Sequence, residues 1–137
     1  MDAKSQVQEV INNYVKSVNE LDLQKAKTLW MDLPEISFIH PRGHEIGKEQ
    51  IIRSFYQETM GRFSQRKLVP YDISISIVGD TALVVFYWKF NATFAHDNSP
   101  LQTEGRETQV MTKTADGWKL LHIHYSGLPV SGDRDGF

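Results

Sequence analysis

The sequence predicts an α+β fold in which three N-terminal helices wrap a cone-shaped, curved antiparallel β-sheet. Two observations lead to this prediction. In the first half of the chain, apolar residues recur at three- and four-residue steps, which is typical of amphipathic helices. From Ile73 onward, some segments alternate between apolar and polar residues, and others are rich in β-branched and aromatic side chains. Both patterns are typical of strands. A curled sheet covered by helices leaves a conical pocket.

Length and composition narrow the possible functions. The 137 residues match one domain, so we expect a single domain over residues 1–137, with residues 127–137 as a C-terminal tail. Fifteen basic and 17 acidic residues without a basic run argue against nucleic acid as a partner. The absence of cysteine excludes thiolate catalysis and sulfur-ligated zinc. No apolar run has the length of a signal peptide or membrane span, so we expect no membrane partner and a cytoplasmic location.

The helical half divides into three predicted helices. The first carries a stripe of apolar residues, which comprises Val7, Val10, Ile11, Tyr14, Val18 and Leu21. This spacing places Tyr14 on the buried face. Asp22 is a suitable N-cap for a second helix that ends before Pro34, and Gly47 begins a third helix that includes Phe55.

Predicted strands occupy the rest of the chain. A short strand at residues 35–40 ends at His40 and is closed by a turn at residues 41–43. Ile73, Ile75 and Ile77 alternate with polar residues. The remaining predicted strands are residues 81–95, 102–114 and 118–126, joined by a loop at residues 96–100 and a turn at residues 115–117.

Three segments of the C-terminal part are informative: GRETQV at 105–110, DGWKL at 116–120 and HIHYS at 122–126. In these segments the chain resembles the nuclear-transport-factor-2-like superfamily, specifically its SnoaL-like and ketosteroid-isomerase-like branch. A similar ending occurs in the association domain of calcium/calmodulin-dependent kinases. This resemblance implies a cystatin-like fold and does not specify a reaction.

The N-terminal half is similar in order and spacing to the ketosteroid isomerases. The matching positions are Tyr14-Val15, Asn19, Asp22-Leu23, His40-Pro41-Arg42-Gly43, Gly47, Ile51 and Phe55-Tyr56. The resemblance implies that Tyr14 donates a hydrogen bond to a developing enolate oxygen and that Tyr56 hydrogen-bonds behind it. Trp30 falls where a pocket aromatic residue is usual.

Two positions depart from the isomerase pattern. His40 stands where the isomerases carry the aspartate that acts as general base, and a second oxyanion donor falls at Gln109 or, with a one-residue shift, at Thr108. An imidazole titrates near neutral pH by default, so a histidine base with tyrosine and glutamine donors is chemically coherent. We therefore expect His40, Tyr14 and Gln109 to be catalytic, without a cofactor. The expected pocket residues are Trp30, Phe55, Tyr56, Glu107, Met111, Ile123 and Tyr125.

Strand parity leaves two questions about the last two strands. Either Glu107, Gln109 and Met111 face inward, which we favour, or Arg106, Thr108 and Val110 do, which would suit an anionic ligand. In the last strand, Trp118, Leu120, His122 and His124 share one predicted face, and Leu121, Ile123 and Tyr125 share the other. If the second set lines the pocket, the two histidines face outward. No third ligand accompanies them, so we expect no metal site.

Two hypotheses for the function follow. In the first, the protein binds a hydrophobic, oxygen-bearing small molecule and catalyses an isomerase-, cyclase- or lyase-type proton transfer. In the second, it is a non-catalytic ligand-binding or oligomerisation module like the kinase association domains. Both predict a homodimer through the outer sheet face, because residues 81–95 are apolar on both faces, with Leu83, Val85 and Tyr87 on one and Val84, Phe86 and Trp88 on the other.

Overall fold

Helices form most of the first 62 residues in the computed structural model, which describes residues 1–128. Helix α1 spans Ala3–Glu20 and helix α2 spans Leu23–Leu29. Asp2 and Asp22 cap them, each accepting a hydrogen bond from the backbone N–H three residues later. A third helical segment begins as helix α3 at Lys48–Gln50. It continues as a π-helix at Ile51–Thr59 and ends as a 3₁₀ turn at Met60–Arg62. Residues 129–137 of the predicted tail lie outside the described residues.

One mixed sheet contains all six strands found within residues 1–128. The strands are β1 at Ser37–His40, β2 at Gly43–Ile46, β3 at Phe63–Val78, β4 at Thr81–Phe94, β5 at Pro100–Thr114 and β6 at Gly117–Gly127. Their order is β2-β1-β6-β5-β4-β3. Every pairing is antiparallel except β1 with β6, which is parallel. The predicted curved antiparallel sheet is formed by β3 to β6, and β1 adds to its edge in parallel with β6, because β1 enters the sheet from the helical half and not through a hairpin with β6.

Irregularities in strand register bend the sheet. In β3 the register with β4 shifts between Tyr71 and Ser74, where Asp72 adopts a φ of 52°. In β6 an extra residue, Leu121, lies between the partners of Val110 and Met111 on β5. Bulges of this kind increase the local twist and bend a strand, so the sheet curves around the helices.

The concave face of the sheet and the inner faces of the helices form the core. Strand β4 alternates strictly between exposed and buried residues over its first half, with Val84 and Phe86 fully buried and Leu83 and Val85 exposed. The predicted alternation of this strand between two apolar faces is confirmed, and the face that carries Val84 and Phe86 is the buried one. Burying an apolar side chain of this size contributes roughly 1.5–3 kcal/mol to stability. Among residues 1–128, no helix combines the length and apolar character needed to cross a membrane.

Candidate active site

A cavity of about 210 Å³ opens between the third helical segment and the concave face of the sheet. Its wall is mostly apolar and aromatic. The apolar part of the lining consists of Val18, Phe55, Met60, Phe63, Leu68, Trp88, Phe90 and Leu101. The polar side chains around it are Tyr14, Arg42, Thr59, Arg62, Thr103, Glu104, Glu107 and Tyr125. The volume is below the range of about 300–1,000 Å³ typical of drug-sized ligands, so it fits a smaller molecule.

Glu107 places a buried carboxyl group on the wall of this cavity. It lies on β5 and is 3 % exposed. The Gln109 side chain, two residues along the same strand, donates a hydrogen bond from Nε2 to Oε2 of Glu107 at 2.7 Å. Burial raises the pKa of Glu107 to about 8, and the hydrogen bond from Gln109 opposes this rise only in part. A carboxyl group with such a pKa can exchange a proton near neutral pH.

Two tyrosines share the cavity with Glu107. Tyr14 comes from α1 and Tyr125 from β6, directly opposite Glu107 in the β5–β6 register. Burial raises the pKa of both tyrosines above the usual range, and the charge of Glu107 raises it further. Both hydroxyls therefore stay protonated. Within residues 1–128 neither hydroxyl has a hydrogen-bond partner, so both are available as donors to a molecule in the cavity.

Tyr56 hydrogen-bonds to Ser17 of helix α1, and the structure shows no hydrogen bond between the hydroxyls of Tyr56 and Tyr14. Its hydroxyl lies 2.7 Å from Oγ of Ser17, which in turn donates to the backbone carbonyl of Tyr14 at 2.6 Å. Because Ser17 has one hydroxyl proton, Tyr56 is the donor in the first bond. The expected hydrogen bond behind Tyr14 is therefore replaced by one to Ser17, and Tyr56 does not line the cavity.

His40 lies next to the cavity, but its ring nitrogens already have partners. Nε2 lies 2.8 Å from Oε2 of Glu45, and Nδ1 accepts from the backbone N–H of Arg42 at 3.3 Å. Burial lowers the pKa of His40 despite the opposing effect of Glu45. The neutral ring therefore donates from Nε2 to the carboxylate. His40 is 5 % exposed, stacks near Tyr125 and is absent from the cavity lining.

The inward face of β5 is the one we favoured from the sequence. Glu107, Gln109 and Met111 are buried, whereas Arg106 is exposed. Gln109 nevertheless lies behind Glu107 and not on the cavity, and its Nε2 is used by that carboxyl group. The amide does not face the cavity as an oxyanion donor would.

Of the expected apolar pocket residues, Phe55 and Tyr125 line the cavity. Trp30, Met111 and Ile123 are almost fully buried behind it and belong to the core. The parity predicted for the last strand holds for Ile123, His124 and Tyr125 and fails upstream of them, because the extra residue Leu121 reverses which side chains face inward.

Upstream of this bulge Trp118 and Leu120 face inward, and downstream of it Ile123 does. His124 is exposed on the outer face, and His122 is partly buried beside Ser37, with Nδ1 2.8 Å from the serine Oγ. In the described part of the chain, no three His, Asp or Glu side chains are arranged to hold a metal.

Most residues of the cavity lining were not predicted as site residues, and Trp88, Arg42 and Arg62 are among them. Trp88 packs against Gly105 on the neighbouring strand, where a Cβ atom would leave no space for the indole ring, and meets Tyr125 edge to face. Its inward position follows from strand alternation. Arg42 and Arg62 come from a turn and a helix end, where no periodic pattern reports which way a side chain points.

The comparisons with known proteins agree on the fold. The profile of the SnoaL-like domain matches residues 7–131. A comparison with curated proteins finds no match. An NTF2-like superfamily protein from Salmonella enterica serovar Typhimurium is 40 % identical, with a TM-score of 0.93; the alignment covers 98 % of this chain and 97 % of that one.

Two more distant structures extend this likeness. The CaMKII hub of S. rosetta is 26 % identical with a TM-score of 0.75, over 90 % of this chain and 95 % of that chain. A protein with a cystatin-like fold from Caulobacter vibrioides is 17 % identical with a TM-score of 0.74, over 93 % and 91 %. The latter likeness concerns the fold alone. Together they confirm the predicted α+β, cystatin-like architecture.

Proposed function

Because the chain belongs to the SnoaL-like domain family, within the nuclear-transport-factor-2-like superfamily, we propose that it is an enzyme that binds a small, hydrophobic, oxygen-bearing molecule and transfers a proton on it without a cofactor. The observation that carries this proposal is Glu107, a buried carboxyl group that faces a mostly apolar cavity together with two tyrosine hydroxyls. Perturbed acids in such cavities are typical of catalytic sites.

The proposed reaction is an isomerisation next to a carbonyl group. Glu107, in its ionised form, removes a proton from the carbon beside the carbonyl, and returns it to a different carbon of the same molecule. Tyr14 and Tyr125 donate hydrogen bonds to the carbonyl oxygen, where negative charge develops. Each bond broken is matched by a bond formed, so neither an oxidant nor a metal takes part. Exclusion of water by the aromatic wall strengthens the hydrogen bonds to that oxygen.

Glu107 takes the role of base that the family resemblance implies for His40. Glu107 lines the cavity, whereas both ring nitrogens of His40 are occupied by Glu45 and the Arg42 backbone. Gln109 becomes a positioning residue, because its amide holds the Glu107 carboxyl group in place.

Isomerisation of a β,γ-unsaturated cyclohexenone to its conjugated isomer tests this proposal, because the product absorbs in the ultraviolet and the molecule is small. We expect turnover by the wild type that rises with pH and levels off above about pH 8, as the base ionises. Glu107→Gln should lower the rate roughly hundred-fold, since it removes the base and keeps the shape.

His40→Gln is the matched control, because an amide at this position can still donate to Glu45. We expect it to retain the wild-type rate within about three-fold, far less than the loss expected on removing a general base. A large loss in His40→Gln with normal turnover in Glu107→Gln would return the role of base to His40. Wild-type rates equal to those in buffer would contradict the enzymatic proposal for this substrate class.

A second candidate function is assembly into a homodimer, which the outer face of the sheet favours. Leu83 and Val85 are exposed on β4, at 47 % and 38 %, and Val69 on β3 is 41 % exposed. Tyr71 and Tyr87 pair across the same face, with ring centroids 5.9 Å apart. Apolar side chains gathered on one face are typical of a surface that a second copy covers.

Sedimentation velocity at micromolar concentration tests the homodimer. We expect a dimer for the wild type and a monomer for Leu83→Lys, because a charged side chain at the centre of this face opposes burial. Lys113→Glu, near the far end of β5, is a control that should remain dimeric. A monomeric wild type would contradict the proposal.

A further inference from the structure

Two arginines lie at the mouth of the cavity and come from separate elements. Arg42 belongs to the turn between β1 and β2, and Arg62 ends the 3₁₀ turn before β3. Both are exposed, and within residues 1–128 neither guanidinium lies within salt-bridge distance of a carboxylate. The Arg42 charge disfavours the charged form of Arg62, although burial is the larger cause of its lowered pKa. Two like charges therefore face one opening.

Arg62 is held in position by its surroundings. Its Nε donates to the backbone carbonyl of Thr59 at 3.0 Å. The guanidinium lies over the rings of Phe63 and Phe94, at 5.0 and 5.7 Å from their centroids. These contacts use Nε and one face of the group, so both terminal nitrogens remain free to donate to an anion.

The charges of the mouth and interior fix the orientation of a ligand. An anionic group deep in the cavity would lie beside Glu107 without a cation to pair with, which is costly in an apolar site. At the mouth, two arginines and the exposed Glu104 leave a net charge of +1. A singly charged group neutralises it, whereas a doubly charged phosphate would leave an excess negative charge.

We propose that Arg42 and Arg62 form an anion clamp, and that the natural ligand is a small amphipathic carboxylate with its apolar body inside the cavity. The fork of an arginine matches the two oxygens of a carboxylate. This inference rests on the ligand pocket proposed above. It adds that the acid group stays at the mouth, so that the opposite end of the molecule reaches Glu107 and the two tyrosines.

Isothermal titration calorimetry with cinnamate and the neutral cinnamyl alcohol tests the clamp. We expect the wild type to bind cinnamate more tightly, and added salt to weaken the binding of cinnamate alone. Arg42→Gln and Arg62→Gln should each lower the affinity for cinnamate about five-fold, as expected for a partly exposed charge-assisted contact. Affinity for the alcohol should not change, which also shows that each variant keeps its pocket.

Arg53→Gln is the control for charge, because Arg53 is exposed on the third helical segment and does not line the cavity. It should bind cinnamate as the wild type does. Equal affinity for acid and alcohol, or wild-type cinnamate binding by both mouth variants, would overturn the clamp and leave the pocket intact. If neither probe binds the wild type at millimolar concentration, the ligand pocket itself is contradicted, and the clamp with it.

Discussion

Two buried hydrogen-bonded pairs lie close to the same aromatic residues, and they differ in what surrounds them. The Glu107–Gln109 pair joins a carboxyl group to a neutral amide at 2.7 Å and faces the cavity. The His40–Glu45 pair joins an imidazole to a carboxylate at 2.8 Å, in the β1–β2 hairpin. Tyr125 touches both regions, since it lines the cavity and stacks near His40.

The difference between the two pairs indicates which buried ionisable group can exchange a proton with a molecule in the cavity. A carboxylate opposite a neutral amide gains little compensation for lost hydration, so the pKa of Glu107 rises to about 8 and its proton becomes exchangeable. In the second pair, the histidine donates to the carboxylate and its other nitrogen accepts from the backbone. Its hydrogen-bonding capacity is used by the protein, which indicates a structural role.

The largest expected effect is on the pH dependence of stability. The pKa of Glu107 is about 8 in the folded protein and near 4.5 in the unfolded chain, so the folded state binds the extra proton between these values. The buried Glu107 carboxyl group therefore destabilises the folded state least at low pH, where it is protonated. The free energy of unfolding falls as pH rises from 4.5 through 8. Relative to Glu107→Gln, we expect the wild type to lose up to about 5 kcal/mol across this range.

Urea unfolding at several pH values measures this difference. Glu104→Gln is the matched control, because Glu104 lies on the same strand but is exposed, and this variant should keep the pH dependence of the wild type. Parallel curves for wild type and Glu107→Gln would mean that the carboxyl group is hydrated in the folded protein, and the contrast between the two pairs would fail.

The next effect is on the His40–Glu45 pair. His40→Ala should lower the free energy of unfolding by about 3 kcal/mol, because it leaves the buried Glu45 carboxylate without its donor. His40→Gln, which restores a donor, should lose no more than about 1 kcal/mol. A loss below about 1 kcal/mol in His40→Ala would contradict the structural role of this pair.

The pH dependence of this pair has the opposite sign. Since the pKa of His40 is lowered in the folded protein, its contribution is complete above the unfolded value of 6.5 and is lost as pH falls. His40→Gln should remove this loss at low pH. The same urea titrations test both pairs at once, because one loses stability as pH rises and the other as pH falls.

Hydrophobic periodicity in the sequence was sufficient to predict most of the helices and strands. A period of 3.6 residues in α1 predicts the buried face of Tyr14, whereas the period of two in β4 separates two apolar faces without indicating which of them is buried. Strand β2 was not predicted, because four residues are too few to show alternation and the strand depends on pairing with β1. The bulge at Leu121 depends on the register between two strands, and no local pattern encodes it.

The sequence predicted four of the side chains that line the cavity, Tyr14, Phe55, Glu107 and Tyr125, but it did not predict the role of Glu107. Alternation along β5 placed Glu107 inward, but its raised pKa depends on neighbours from α1 and β6, which only the fold brings together. The resemblance to ketosteroid isomerases predicted His40 as the general base. Its partner Glu45 lies on the unpredicted strand β2, so the sequence could not reveal that the ring is already engaged.

The smallest expected effect concerns a third buried pair, the hydroxyls of Tyr56 and Ser17. Tyr56→Phe removes one hydrogen bond, while Ser17 keeps its bond to the backbone carbonyl of Tyr14. We expect a loss of about 1 kcal/mol by urea unfolding. Burial raises the pKa of Tyr56 above its usual range, so this loss should be the same at every pH used for the charged pairs. A loss that varies with pH would show that Tyr56 is coupled to Glu107, and the cavity would then have to be treated as one titrating network.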